Sequence, residues 1–396
     1  MKKIMILGAS VSQVPLIRAA KALGLYTVVV STPGDWPGFV EADACSYTDI
    51  TDSEAVFMEA EKYGIDGIAT CCMDAGVPSI GFVCEKMGLC GPSALAAKTA
   101  RNKYLMKEAF RKGGVSSAEH IRVTSPDELQ KALKKLGFPV AVKAVDQMGS
   151  RGIYRCDTME EAKKRYEEIM ENSAAGCCLV EEFIEGTLFN GEAMIRNGEF
   201  VFCLVDNTEA FPAAVPTPIG HSVPFEKEEE LGERARAEMK KAVKAVGYDN
   251  SAVDFDLLCK DGEVYVVEIN GRAGATCLPE LVGMTYGLNY YEALVKLAMG
   301  EEVAQLFHTP GENRSFLSHT LLSQETGKLL SIEDRVDHSD PAIIQLAIDV
   351  KPGDQIKKYT NGRDRLGQVI LQGRSLSENR QKLEEILSGL QFNLEP

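Results

Sequence analysis

Two short acidic runs carry the strongest chemical signal in this chain. They are Val253-Asp254-Phe255-Asp256 and, soon after, Val267-Glu268-Ile269-Asn270-Gly271-Arg272. Both read as β-strands, joined through Lys260-Asp261-Gly262, a hairpin turn signal. Alternate residues of a strand share a face, so Glu268, Asn270 and Arg272 start out together, and Asp254 can sit opposite them across the ladder. Two carboxylates with an amide oxygen make an all-oxygen set. Such ligands suit Mg²⁺, which keeps waters and substrate phosphates as its other partners. Arg272 beside them can hold a carboxylate or phosphoryl group bidentately. The plain alternative is a solvated strand face with ordinary charges.

A second signal is Val142-Lys143-Ala144 leading into Asp146-Gln147-Met148-Gly149-Ser150-Arg151-Gly152. A lysine after an apolar strand, entering a Gly/Ser loop, can hold phosphate oxygens. The glycines let backbone N–H groups approach them closely. The Walker pattern GxxxxGK[ST] is absent. A third signal is Leu179-Val180-Glu181-Glu182-Phe183-Ile184, an apolar strand that turns acidic at its end. Such a hinge can offer backbone groups to an adenine edge; a strand end entering solvent is the plain alternative. His221 lies in the proline-punctuated stretch Phe211–Pro224, which reads as a loop, where a lone histidine is more often a surface residue. Asp74 follows a strand predicted over 67–71, at the carboxyl end where open α/β sheets bind ligands. There it could meet an acceptor amine or cap a helix.

The first hundred residues position none of the acidic pair but show a βαβ rhythm, which implies a parallel sheet with helices on both faces. Gly8-Ala9-Ser10 lacks the GxGxxG fingerprint, which argues against an NAD site. A further strand is predicted over 89–91 and a single helix over 93–112. Residues 115–185 read as a small αβ unit, its first helix announced by the capping signature Ser125-Pro126-Asp127-Glu128. Antiparallel hairpins dominate from about residue 190, and strands with a closing helix fill the last segment.

Together these features resemble the ATP-grasp superfamily, in its carboxylate–amine ligase branch, which includes L-amino acid ligases and relatives of the carbamoyl phosphate synthase large subunit. The resemblance spans nearly the whole chain. It implies an α/β (α+β) ATP-grasp fold. The expected parts are an N-terminal Rossmann-like pre-ATP-grasp domain (1–92), an ATP-grasp core (93–305) with a small lid subdomain (115–185), and a C-terminal β-rich module (306–396). By the same resemblance Lys103 and Lys143 contact the ATP phosphates. Gly149, Ser150 and Gly152 belong to a flap over the triphosphate, and Glu181, Glu182, Phe183 and Ile184 form the adenine hinge. Asp254, Glu268 and Asn270 would hold Mg²⁺ (or Mn²⁺), with two ions expected. Arg272, Lys143 and His221 would steady an acyl phosphate. Two departures stand out: Leu188 occupies the position of a ribose-binding Glu, and the usual Glu-Ile-Asn-Pro-Arg reads Glu-Ile-Asn-Gly-Arg.

The implied function is ADP-forming amide synthesis from a small carboxylate and an amine. The rivals are a bicarbonate-activating carboxylase of the purine-pathway type and a non-enzymatic nucleotide sensor. Composition bounds the partners. Among 396 residues, 58 acids outnumber 43 bases, for a net charge of −15 that argues against a nucleic-acid partner. No apolar run reaches bilayer length, so no membrane partner is expected. Eleven cysteines without metal spacing read as reduced thiols of a cytoplasmic protein. The C-terminal module would close one side of the pocket and support a homodimer.

Overall fold

The computed structural model describes residues 1–147, 152–213, 215–308 and 314–395. Gly149 and Ser150 of the expected flap lie outside the described residues. Four parallel strands, in the order Ala44–Ser46, Tyr26–Val30, Lys3–Leu7, Gly67–Ala69, form the N-terminal sheet. Its apolar runs are buried on both faces: Ile4, Ile6 and Val29 in one cluster, Met5, Leu7, Val28 and Val30 in the other. Residues 89–91 form no strand.

The single helix expected over 93–112 is two, Ala94–Arg101 and Lys103–Gly113. The chain breaks at Asn102, which is extended (φ −114°, ψ 110°) and caps the second helix by accepting from the Leu105 amide at 3.0 Å. That break places Lys103 in the first turn of a new helix. The 115–185 unit is built on an antiparallel sheet, His120–Val123, Cys178–Glu182, Val140–Ala144, Ile153–Cys156, covered by helices Pro126–Leu136 and Met159–Asn172. Ser125 caps the first, and Thr158 with Glu161 forms a capping box on the second.

The central sheet has eight strands. In order they are Glu263–Asn270, Ser251–Lys260, Thr187–Arg196, Glu199–Phe211, Thr217–Val223, Ser315–Leu321, Gly367–Gly373 and Ile343–Ile348. The last three come from the C-terminal segment, which therefore extends the central sheet. Beside it lie a three-stranded sheet and the helix Leu376–Gly389. Alternation on the Ser251–Lys260 strand separates core from chemistry. Val253, Phe255 and Leu257 are fully buried and share a core cluster with Ala235, Met239 and Ala242 of the helix Glu233–Val246. Each such side chain stabilises the fold by about 1.5–3 kcal/mol. Asp254 and Asp256 take the opposite face.

The stretch expected to be a loop over 211–224 is largely a strand. Thr217–Val223 pairs with Glu199–Phe211 on one side and Ser315–Leu321 on the other. Its prolines are compatible with this because Pro218 sits where the register shifts and Pro224 follows the strand end. His221 is accordingly buried in a sheet and is not on a surface loop. Among the described residues no helix is long and apolar enough to cross a membrane.

Candidate functional site

The hairpin register decides which carboxylates meet. Asp256 pairs with Glu268, and Asp254 pairs with Asn270. The turn that sets this register has Asp261 at φ 53° and Gly262 at φ 77°, as a tight two-residue hairpin requires. Asp254, expected as a metal ligand, is engaged by protein donors. It accepts from Asn190 Nδ2 at 2.8 Å, Arg272 Nη1 at 2.6 Å and Asn270 Nδ2 at 3.3 Å. The acid across from Glu268 is Asp256, two positions further along the same face.

Burial and the neighbouring charges of Glu268 and Asp254 hold the Asp256 carboxyl well above its usual range. Burial also works against Glu268, but Lys103, hydrogen-bonded to it, outweighs burial and holds it below the ordinary value. Two facing carboxyls that resist simultaneous ionisation, with the Asn270 amide beside them, are an oxygen set that a divalent cation would relieve. Among the described residues no three His, Cys, Asp or Glu side chains are arranged to hold a metal by themselves.

The lysines gather around a second buried acid. Glu181 Oε2 lies 2.9 Å from Lys143 Nζ and 3.3 Å from Lys107 Nζ. Burial pushes Glu181 up, but the two ammonium groups hold it down at about 2. Lys107, one helical turn after Lys103, is as buried as Glu181 and was not expected. In the hinge, the Glu182 and Phe183 amides donate to Glu119 and Pro139 carbonyls. The following Ile184 amide has no backbone partner among the described residues. Glu182 itself is exposed. Gly152 is left-handed (φ 62°), and a Cβ there would fall 2.5 Å from the Gln147 side chain.

Arg272 is fixed between Asp74 and Asp254. Its Nε lies 2.8 Å from Asp74 Oδ1 of the N-terminal domain, and its Nη1 bonds Asp254. Burial alone would lower its pKa; Asp74 and Asp254 more than offset this and keep the guanidinium charged. Asp74 thus meets Arg272 with its side chain. The glycine preceding Arg272 is required by packing. Tyr248 Oη donates to the Gly271 carbonyl at 2.7 Å, and a Cβ at Gly271 would lie 2.1 Å from that oxygen.

His221 completes the row. Its Nδ1 lies 2.8 Å from Asp206 Oδ1, both residues being buried. Burial lowers the imidazole pKa, but Asp206, with Asp254 behind it, raises it above the ordinary value. Asp206 and Glu192, like Asp256 and Lys107, escaped the sequence reading. Lys107 was within reach by helical spacing from Lys103, whereas strand alternation puts Asp256 on the same face as Asp254 without choosing between them. Asp206 and Glu192 carry no local signal, because their partners lie 15 and 98 residues away.

Comparisons with known proteins bear on the family. Residues 100–276 match the ATP-grasp domain, and residues 319–395 match the L-amino acid ligase C-terminal domain 2. The structure of a phosphoribosylglycinamide synthetase from Anaerococcus prevotii is 35% identical, with all of both chains covered and a TM-score of 0.84. An L-amino acid ligase from Bacillus licheniformis shares the fold at 19% identity, covering 100% of this chain and 99% of that one, with a TM-score of 0.85. The alanine–anticapsin ligase of Bacillus subtilis is 25% identical over 61% of this chain, which spans 56% of that ligase. The chain belongs to the ATP-grasp family and is a ligase of its carboxylate–amine branch.

Proposed function

We propose that the protein joins a small carboxylic or amino acid to an amine as an amide, through an acyl phosphate, converting ATP to ADP and phosphate. The observation that carries this reading is the Asp256–Glu268 pair on one ladder, with Lys103 on one side and the carboxylate-bridged Arg272 on the other. Mg²⁺ would be held by Asp256, Glu268 and the Asn270 amide oxygen, and when bound it supplies charge neutralisation to the ATP phosphates. Lys103, Lys107 and Lys143 provide the cationic wall for those phosphates. The Ile184 amide, without a backbone partner among the described residues, offers the adenine a donor. Arg272 and His221, whose cation Asp206 favours, stabilise oxyanions at the carboxylate end. The lid unit excludes water from the labile acyl phosphate. All eleven cysteines are free thiols, which suits a reducing cytoplasm.

The test is ADP release across a panel of amino acids, singly and in pairs, with Mg-ATP. Pair-dependent ADP release with an amide product supports the reading. A second reading has a specific source: formate-dependent phosphoribosylglycinamide formyltransferase of Bacteroides thetaiotaomicron aligns over 86% of this chain at 24% identity. ADP release dependent on formate or bicarbonate, and indifferent to amino acids, would favour a one-carbon acid as the activated group.

A further inference from the structure

Between Arg272 and the helix Leu278–Tyr286 the chain makes a short irregular loop. Two successive non-glycine residues in it are left-handed, Thr276 at φ 56° and Cys277 at φ 62°. Side-chain-bearing residues rarely adopt that conformation, and it persists only where surrounding contacts enforce it. Ser318 Oγ donates to the Thr276 carbonyl at 2.9 Å and the Cys72 amide to the Ala273 carbonyl at 3.0 Å, and between these points the loop is held by Glu192, in the middle of the Thr187–Arg196 strand, whose side chain is wholly buried. Its Oε2 accepts from the Gly274 amide at 3.0 Å, and its Oε1 accepts from the Tyr290 hydroxyl at 2.8 Å. Tyr290 is itself buried, at the start of the helix Tyr290–Ala298, edge-on to Phe202. Gly274 has no room for a side chain, since a Cβ would lie 2.6 Å from Leu278 and 3.2 Å from Glu192.

Glu192 is the direct ladder neighbour of Asp254. The two acids therefore hold the Arg272 segment at two points: Asp254 at the guanidinium, Glu192 at the backbone two residues on. Because Glu192 is enclosed, it cannot touch a substrate. We infer that Glu192, braced by Tyr290, is the positioning residue for Arg272: it fixes the 271–277 loop through the Gly274 amide so that the guanidinium meets the reacting oxygens. This rests on the ligase reading for its catalytic part and on the loop geometry alone for its structural part.

The test compares Glu192→Ala, Glu192→Gln and Tyr290→Phe with the wild type. Glu192→Ala should lower kcat on the order of 100-fold while the KM for ATP stays within about twofold. Glu192→Gln should recover most of that loss, because its carboxamide oxygen can still accept from Gly274 and its N–H can meet Tyr290 Oη. Tyr290→Phe should fall between. Hydrogen exchange read by mass spectrometry supplies an arm independent of turnover. In Glu192→Ala, peptides covering 271–277 should exchange about tenfold faster, with the helix Leu376–Gly389 unchanged. The inference is overturned if kcat of the folded Glu192→Ala protein stays within about twofold of wild type. Unchanged exchange at 271–277, or equal acceleration everywhere, also overturns it. If the wild type releases no ADP with any substrate, the ligase reading fails, while the exchange result still decides whether Glu192 holds the loop.

Discussion

Asp256 and Glu268 face each other across the central hairpin, one residue pair beyond Asp254 and Asn270 on the same face of the sheet. The two acids of Val253–Asp256 therefore have opposite duties. Asp254 is consumed by internal donors, and Asp256 is left confronting another carboxyl.

This division predicts opposite stability effects. Asp256→Asn removes a like-charge burden and should leave the protein at least as stable as wild type, by up to about 1 kcal/mol. It should also lower Mg-ATP turnover on the order of 100-fold or more. Urea denaturation and ADP release on one preparation check both halves.

Asp254→Ala should behave in the reverse sense. It strips Arg272 of one of its two anions and leaves the Asn190 and Asn270 amides without their acceptor. Loss of about 3–5 kcal/mol in the urea midpoint analysis is expected, the cost of a buried charge losing its partner.

Glu181 gives a pH signature. Its folded pKa of about 2 lies below the ordinary value near 4.5, so its contribution is fully present above 4.5 and disappears as pH falls towards 2. The contribution is about 3 kcal/mol. The stability gap between wild type and Glu181→Gln, measured by denaturant at a series of pH values, should be widest at neutral pH. It should close across that window.

His221 titrates in the other sense. Asp206 raises its pKa, so the cation persists above its ordinary titration range and is lost only as pH rises through the raised value. Asp206→Asn should move the alkaline limb of the kcat/KM–pH profile to lower pH. An unmoved limb would remove His221 from the reacting groups.

Much of this was legible in the sequence. The hairpin announced by Lys260-Asp261-Gly262, the Lys143 strand and loop and the Glu-Ile-Asn-Gly-Arg run were visible because strand alternation and turn chemistry are local, whereas Lys103 was pointed to only by the family resemblance. The choice between Asp254 and Asp256 was not, because both share a face and only the register across to Glu268 and Asn270 separates them. His221 was hidden by prolines that suggested a loop, although Pro218 is accommodated at a bulge. The Asp206–His221 and Glu192–Tyr290 pairs depend on strands and helices far apart in the chain, and no spacing rule reaches that far.

The most direct test of the account follows the oxygen atoms. With Mg-ATP and amino-acid substrates whose carboxyl groups are labelled with ¹⁸O, each amide formed should release inorganic phosphate carrying one labelled oxygen, alongside ADP. Asp256→Asn should form both products more slowly, on the order of 100-fold or more. Amide formation with unlabelled phosphate, or with AMP in place of ADP, would contradict an acyl phosphate and with it the role assigned to this site.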